Sequence, residues 1–366
     1  MSLSIRAAGL PAWGPELMDI ALTVRNLRAY YLMSYFGVQR EVRAVDDITL
    51  SVGKKEIYGI AGESSCGKST FIRTIAAAIR PPLRVLGGFI KYSFLDRDLY
   101  DLDERALADM RWKHLSCILQ GSMNVLNPVR RVRESFRDFA FPHMGLARSE
   151  FFDAVNRHLE RLHLSPSVLF AFPHELSGGM RQRVAIALAT VCRPEFIIAD
   201  EPTTALDVVV QKDVLALILE TQREIGSSMV FVTHDLSVHA NISNRLGIMY
   251  AGRLVEEGPT GDILHDPIHP YTRHLVASLP RIGDVTPKKS LSGAPPSLAD
   301  PPLGCRFHPR CPLAMDVCRQ AHPELTLLAS GRRVACYAVS PLVKPAADSV
   351  AAPQATQADK SAAFLQ

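Results

Sequence analysis

The chain has 366 residues, 47% of them hydrophobic and 21% charged, with a formal net charge of +4. That is enough apolar material for one large domain, or a domain with a smaller companion, and it excludes a compositionally disordered chain. The small basic excess is no footprint for nucleic acid, and no stretch reaches the roughly 18 apolar residues that a membrane-spanning helix needs.

The opening segment, MSLSIRAAGLPAWGPELM, has one early Arg and no continuous apolar run, so it does not read as a signal peptide. Residues 1–17 are expected to be a flexible tail, and any membrane role is expected to come through partners. From Ile20 the segments IALTVRNL, VRAVDDITLSV and EIYGIAGE read as strands, the first two by alternation and the third by its apolar run and glycines. A helix is expected from Lys68 to about Ile79, stopped by Pro81 and Pro82. Residues 100–170 are richer in helical periodicity, as in FFDAVNRHLERLHL. VAIALATVC then reads as a helix, EFIIADE as a buried strand, DVLALILETQREIG as a helix and SMVFVTHD as another buried strand. Strands alternating with helices predict an α/β domain with a largely parallel sheet.

The texture changes after Leu279, where PRIGDVTPKKSLSGAPPSLADPPLG reads as loop or linker. Four of the 7 cysteines follow it: Cys305, Cys311, Cys318 and Cys336. In a reducing compartment such a group suggests a metal more than a disulfide framework. From about Pro341 the chain is Ala- and Gln-rich without core periodicity, and disorder is expected over 341–366. There is no internal repeat. The expected division is a main domain over 18–280, with an inserted helical subdomain at about 121–180, and a Cys-rich C-terminal domain over 281–340.

Two motifs carry chemistry by themselves. Gly62, Glu63, Ser64, Ser65, Cys66, Gly67, Lys68 and Ser69 fit G-x-x-x-x-G-K-[ST], with an apolar strand before and an apolar helix after. Backbone N–H groups and the positive helix end would cradle phosphates. Lys68 would reach the β- and γ-phosphates, Ser69 would bind Mg²⁺, and Thr70 would hydrogen-bond a phosphate. Ser65 stands where Gly is expected, and it is expected to meet the phosphate in a right-handed conformation. The second motif is the apolar run Phe196 to Ala199 ending in Asp200 and Glu201. Alone, such an end is a common solvated terminus. Behind a phosphate loop, Asp200 fits the Mg²⁺ shell and Glu201 a base that polarises the attacking water.

Leu176-Ser177-Gly178-Gly179-Met180-Arg181-Gln182-Arg183 resembles the signature motif of the ABC ATPases, and it lies just ahead of the carboxylate pair as it does there. Ser177 and the two glycines opening a helix form an anion site by the same physics as the phosphate loop. The resemblance implies an ABC cassette: a RecA-like P-loop core with an antiparallel β-subdomain and an inserted helical subdomain. It further implies that Gln120 senses Mg²⁺ and water, that Ala205-Leu206-Asp207 is the D-loop, and that His234 contacts the γ-phosphate. Tyr31 is the best match for the adenine-stacking aromatic, with Tyr30, Tyr35 and Phe36 as competitors. ATP would sit between the phosphate loop of one subunit and the signature of another.

QGSMNVLNP, FPHELSGGMRQRVAIALATVCRPEFIIADEPTTALDVVVQ and GDILHDPIHPYTRHLVASLP are similar to the oligopeptide/dipeptide importer ATPases, D-type. The resemblance covers about residues 20–340. It implies a heterodimer with a similar F-type ATPase, two permeases, an external solute-binding protein and no nucleic acid, on the cytoplasmic face of the membrane. Peptides are the expected cargo; relatives of this type also import nickel and oligosaccharides. The four C-terminal cysteines resemble a motif that binds a [4Fe–4S] cluster in some members, with zinc the runner-up metal and unliganded buried cysteines a further reading. A soluble ABC ATPase acting on DNA or ribosomes would usually carry long coiled coils or two cassettes, and neither is present. A catalytically silent cassette would lack a Glu or His that this chain keeps.

Overall fold

The computed structural model describes residues 20–35, 38–119, 126–204, 206–279, 291 and 293–339. Both expected tails, together with Phe36, Gln120 and Ala205, lie outside the described residues.

Two long strands, β1 (Ile20–Tyr35) and β2 (Val38–Gly53), pair antiparallel. They run well beyond the alternating segments that announce them. Register shifts along β1 at Val24/Leu27 and Ala29/Tyr31 let it bend while its apolar residues stay inward. A strand not anticipated from the sequence, β4 (Leu83–Tyr92), pairs with the other edge of β1.

The second sheet holds the rest. Its strands are β3 (Ile57–Ala61), β5 (Leu115–Ile118), β6 (Phe196–Asp200), β7 (Ser228–Val232), β8 (Arg245–Tyr250), β9 (Arg253–Pro259), β10 (Thr326–Leu327) and β11 (Arg333–Val334). They lie in the order β10-β11-β9-β8-β3-β7-β6-β5. The five from β8 to β5 are parallel, as the alternation of strands and helices predicts, and the other three are antiparallel. β6 shows why its apolar run is continuous. Phe196 and Ile198 enter the core shared with the three-stranded sheet, while Ile197 and Ala199 enter the core on the helical side.

After the short helix α2 (Glu104–Met110), the helical core packs α3 (Val132–Phe139), α5 (Arg148–Arg161) and α6 (Gly178–Thr190), with the single turn α4 (Phe141–Met144) between the first two, through Phe136, Phe151, Val155, Leu159 and Val184, all fully buried. Helix α1 (Lys68–Ile75) ends a turn earlier than the proline stop predicts. The hydroxyls of Tyr92 and Tyr100 donate to the carbonyls of Ile75 and Thr74, each at 2.7 Å, and replace the bonds of a further turn. The C-terminal segment joins the main sheet, because β11 pairs with β9 through Arg333–Glu257 and Val334–Glu256. Among the described residues, no helix is long and apolar enough to cross a membrane.

Candidate nucleotide site

The phosphate loop runs from the buried end of β3 into α1. Two of its glycines are required by space. A Cβ on Gly62 would stand 2.2 Å from the Met249 carbonyl oxygen, and one on Gly67 would stand 1.9 Å from that of Ala44, with φ at +153° and +107°. Ser65 departs from expectation. Its φ is +64°, in the left-handed region and not the right-handed one. The loop's turn is thus the one a glycine would make freely, and Ser65 holds it at a cost of about 1–2 kcal/mol. Lys68 is buried, and its ammonium donates to the carbonyls of Gly62 at 2.7 Å and Glu63 at 2.9 Å. Burial is the leading effect on the Cys66 thiol, pushing it above its ordinary value, and its sulfur lies 3.7 Å from the Lys68 ammonium.

Ser64, Ser65, Gly67, Lys68, Ser69 and Thr70 line a cavity of about 360 Å³ with Glu201, Tyr31, Val42, Ala44 and Leu298. Tyr31 is tied to the loop through its hydroxyl, 3.2 Å from Thr70 Oγ1. Of its competitors, Tyr30 is spent elsewhere: it is buried and its hydroxyl donates to Asp46 at 2.5 Å.

At the end of β6, Asp200 is buried and its Oδ1 has no hydrogen-bond partner among the described residues. Burial first, and the neighbouring Glu201 second, push its pKa up to about 6. An orphaned, desolvated carboxylate oxygen is what a divalent cation would satisfy, so Asp200 and the exposed Ser69 hydroxyl fit Mg²⁺. Glu201 has φ +45°, turned off the strand end. Its Oε2 accepts from the Thr204 hydroxyl at 2.9 Å, and its Oε1 lies 3.3 Å from His234 Nδ1. His234 stands on the turn after β7 and is largely exposed.

The signature residues are not part of this cavity. Ser177 caps α6 by accepting from the Met180 N–H at 3.3 Å. Gly179 leaves room for Val210 of the neighbouring helix α7 (Val208–Ile225), 3.0 Å from where a Cβ would stand. Asp207 caps α7, accepting from Val209 and Val210 N–H groups at 3.1 and 3.0 Å. One chain therefore brings together Lys68, Ser69, Thr70, Tyr31 and Glu201, and leaves Ser177, Gly178, Gly179 and Asp207 outside that cavity. Leu298, Val42 and Ala44 are lining residues that no motif announced.

The C-terminal thiols gather without forming a cage. Among the described residues, no group of three or more His, Cys, Asp or Glu side chains is placed to hold a metal ion. The expected [4Fe–4S] site, and the zinc alternative, are thus not preformed by these side chains. The four are nonetheless electrostatic neighbours. Burial, followed by weaker effects that include Cys318, Cys336 and Cys311, pushes Cys305 up to about 12. His308 is engaged with the backbone, its Nδ1 2.9 Å from the Cys305 carbonyl oxygen.

A family model described as ABC transporter matches residues 45–204, and one described as oligopeptide/dipeptide transporter, C-terminal region, matches residues 255–318. The dipeptide transport ATP-binding protein DppD of Caldanaerobacter subterraneus is 38% identical, over 87% of this chain and 97% of that protein. The chain belongs to the ABC transporter ATP-binding family, in its oligopeptide/dipeptide branch. The oligopeptide transport ATP-binding protein OppD of Salmonella typhimurium is 37% identical over 88% of the chain and 95% of that protein. Among solved structures, a dimeric post-hydrolysis state of the ATP-binding cassette MJ0796 bound to ADP and Pi matches with a TM-score of 0.57 and 26% identity, over 65% of this chain and 98% of that one. As an ABC ATPase, the chain hydrolyses ATP.

Proposed function

We propose that this chain is the ATP-hydrolysing subunit of a peptide importer, working on the cytoplasmic face of a membrane with two permeases and an external solute-binding protein. The observation that carries the reading is the single cavity shared by the phosphate loop, Tyr31 and Glu201. Tyr31 holds adenine, the loop and Lys68 hold the phosphates, and Ser69, Asp200 and Gln120 take Mg²⁺. Mg²⁺ when bound neutralises phosphate charge. Glu201 accepts a proton from the attacking water, and His234 beside it contacts the γ-phosphate side. Ser177, Gly178, Gly179 and Asp207 complete the site of a second ATPase. The placement of these four outside the chain's own cavity supports a shared interface, and an F-type subunit is the proposed partner.

The division into a cassette over 18–280 and a Cys-rich domain over 281–340 belongs to the same proposal, as does an iron–sulfur cluster on Cys305, Cys311, Cys318 and Cys336. The electrostatic proximity of the thiols supports the cluster, and their spread counts against it. Iron and zinc determination on anaerobically purified protein decides it: about four iron per chain supports it, and zinc or no metal removes it.

The test of the whole reading is a tagged pull-down from gently solubilised membranes. Recovery of two permeases, a second ATPase and a solute-binding protein supports it, and the binding protein's ligand identifies the cargo. Recovery only from the soluble fraction, with ribosomes or DNA-associated proteins, refutes it.

A further inference from the structure

The nucleotide cavity has one wall that comes from more than two hundred residues away. Leu298 lines it beside Tyr31, Val42 and Ala44. Its place is fixed by backbone pairing, since its carbonyl accepts from the Arg43 N–H at 2.8 Å. Val42 in turn sits opposite Tyr31 in the β1–β2 register, so these side chains gather at one end and make it apolar. Pro295, Pro296, Ser297 and Leu298 also line an adjoining cavity of about 530 Å³ that shares Val42, Ser64 and Ser65 with the first. The segment therefore lies along the phosphate loop and reaches the apolar end.

A second observation points to the same segment of chain. Arg310 grips the phosphate loop in a two-pronged pair with Glu63, Nη1 to Oε2 at 2.8 Å and Nη2 to Oε1 at 3.0 Å. Its Nη1 also donates to the Tyr250 hydroxyl at 3.2 Å. The Arg310 side chain is only 6% exposed, so this is a desolvated, planar fork and not a loose surface pair. The Glu63 backbone N–H is held as well, by the Tyr271 hydroxyl at 2.8 Å. Arg306 anchors the same stretch by donating to Asp46 and to the Ala251 carbonyl. Glu63 is the second residue of the loop whose backbone must cradle phosphate, and Ser65, two residues on, sits in a costly conformation. A loop of that kind keeps its shape only when its surroundings over-determine it.

We propose that the C-terminal segment is part of the nucleotide site: Leu298 covers the base end of ATP opposite Tyr31, and Arg310 is a positioning residue that holds the phosphate loop through Glu63. This rests on the ATPase reading above and extends it, because the segment follows the cassette core and carries no nucleotide motif. The two residues act on different parts of the ligand. Leu298 meets the base and is indifferent to phosphate. Arg310 meets neither, and acts on whatever the loop cradles.

The experiment uses the full chain, with ATP and inorganic tripolyphosphate as probes competing against a fluorescent nucleotide. Leu298→Ala is expected to weaken ATP about five-fold, by loss of apolar cover, with tripolyphosphate unchanged. Arg310→Gln is expected to weaken both probes about ten-fold through loss of the charged pair. Arg310→Lys, which keeps the charge but not the fork, is expected to fall between and supplies the reading if Arg310→Gln does not fold. ATP binding within two-fold of wild type in both Leu298→Ala and Arg310→Lys overturns the proposal, as does an equal loss of both probes in Leu298→Ala. Failure of the wild-type chain to bind ATP would instead overturn the ATPase reading itself.

Discussion

Asp46 is a point where β2 and the segment after residue 293 are electrostatically joined, and its neutralisation tests that directly. The side chain is 6% exposed. It accepts from the Tyr30 hydroxyl, from Arg253 Nη2 at 3.1 Å and Nε at 3.2 Å, and from Arg306. Burial alone would raise its pKa, but Arg253, Arg306 and the Tyr30 hydroxyl outweigh it and bring it down from 3.8 to about 2. At about 1.4 kcal/mol per unit, the ionised carboxylate contributes about 2 kcal/mol to folding. Because the folded value is depressed, that contribution is present above about pH 4 and lost as pH falls toward 2. Asp46→Asn keeps the shape but takes the counter-charge from Arg306, which is 4% exposed, and the nearer of two carboxylates from Arg253. Removing one partner of such a group costs about 3–5 kcal/mol. The lower end is expected here, because Arg253 keeps an ion pair with Asp47 at 3.8 Å. Urea unfolding at pH 7 should therefore show a loss of about 3 kcal/mol in Asp46→Asn, shrinking as the wild type protonates below pH 4. A loss under about 0.5 kcal/mol, or a gap between the two proteins that stays constant down to pH 2.5, would refute the assigned network.

Three further outcomes follow from the site. Glu201→Gln is expected to keep ATP binding and lower steady-state hydrolysis by about 10²–10⁴-fold, and wild-type turnover would remove Glu201 as the base. Asp200, with its pKa raised to about 6, should ligate Mg²⁺ poorly once protonated. The Mg²⁺ needed for half-maximal nucleotide binding should therefore rise about ten-fold from pH 7 to pH 5, and Asp200→Asn should lack that protein-borne rise; identical pH profiles would exclude Asp200. Gly67→Ala should abolish nucleotide binding, since the new methyl would lie 1.9 Å from the Ala44 carbonyl oxygen at φ +107°. Measurable binding by calorimetry at wild-type affinity would show that the loop can shift without cost.

Much of the cassette was legible in the sequence because its chemistry is contiguous. A phosphate loop is one strand end, six residues of backbone and one helix start, so Gly62 to Thr70 declare it by spacing alone. The same holds for the strand ending in Asp200 and Glu201, and for Ser177 capping the helix it begins. Alternation marked β1 and β2 but not their full lengths, because register shifts along β1 break the strict alternation of inward-facing side chains. β4 went unseen, its two central glycines resembling a turn, although Gly88 is needed where a Cβ would stand 2.6 Å from Leu27 Cα. The left-handed conformation of Ser65 is not legible in the sequence, since a residue's name does not give its φ.

Tertiary structure alone decided what encloses the site. Leu298 reaches Arg43, Arg310 reaches Glu63 across 247 residues, and Arg306 reaches Asp46 across 260. No periodicity or spacing encodes such pairs. A hydrogen bond between distant segments exists only once the sheet has placed them side by side, as β11 against β9 places the C-terminal segment. Local backbone geometry wrote the phosphate cradle into the sequence; the wall beside it, and the grip upon it, came from folding.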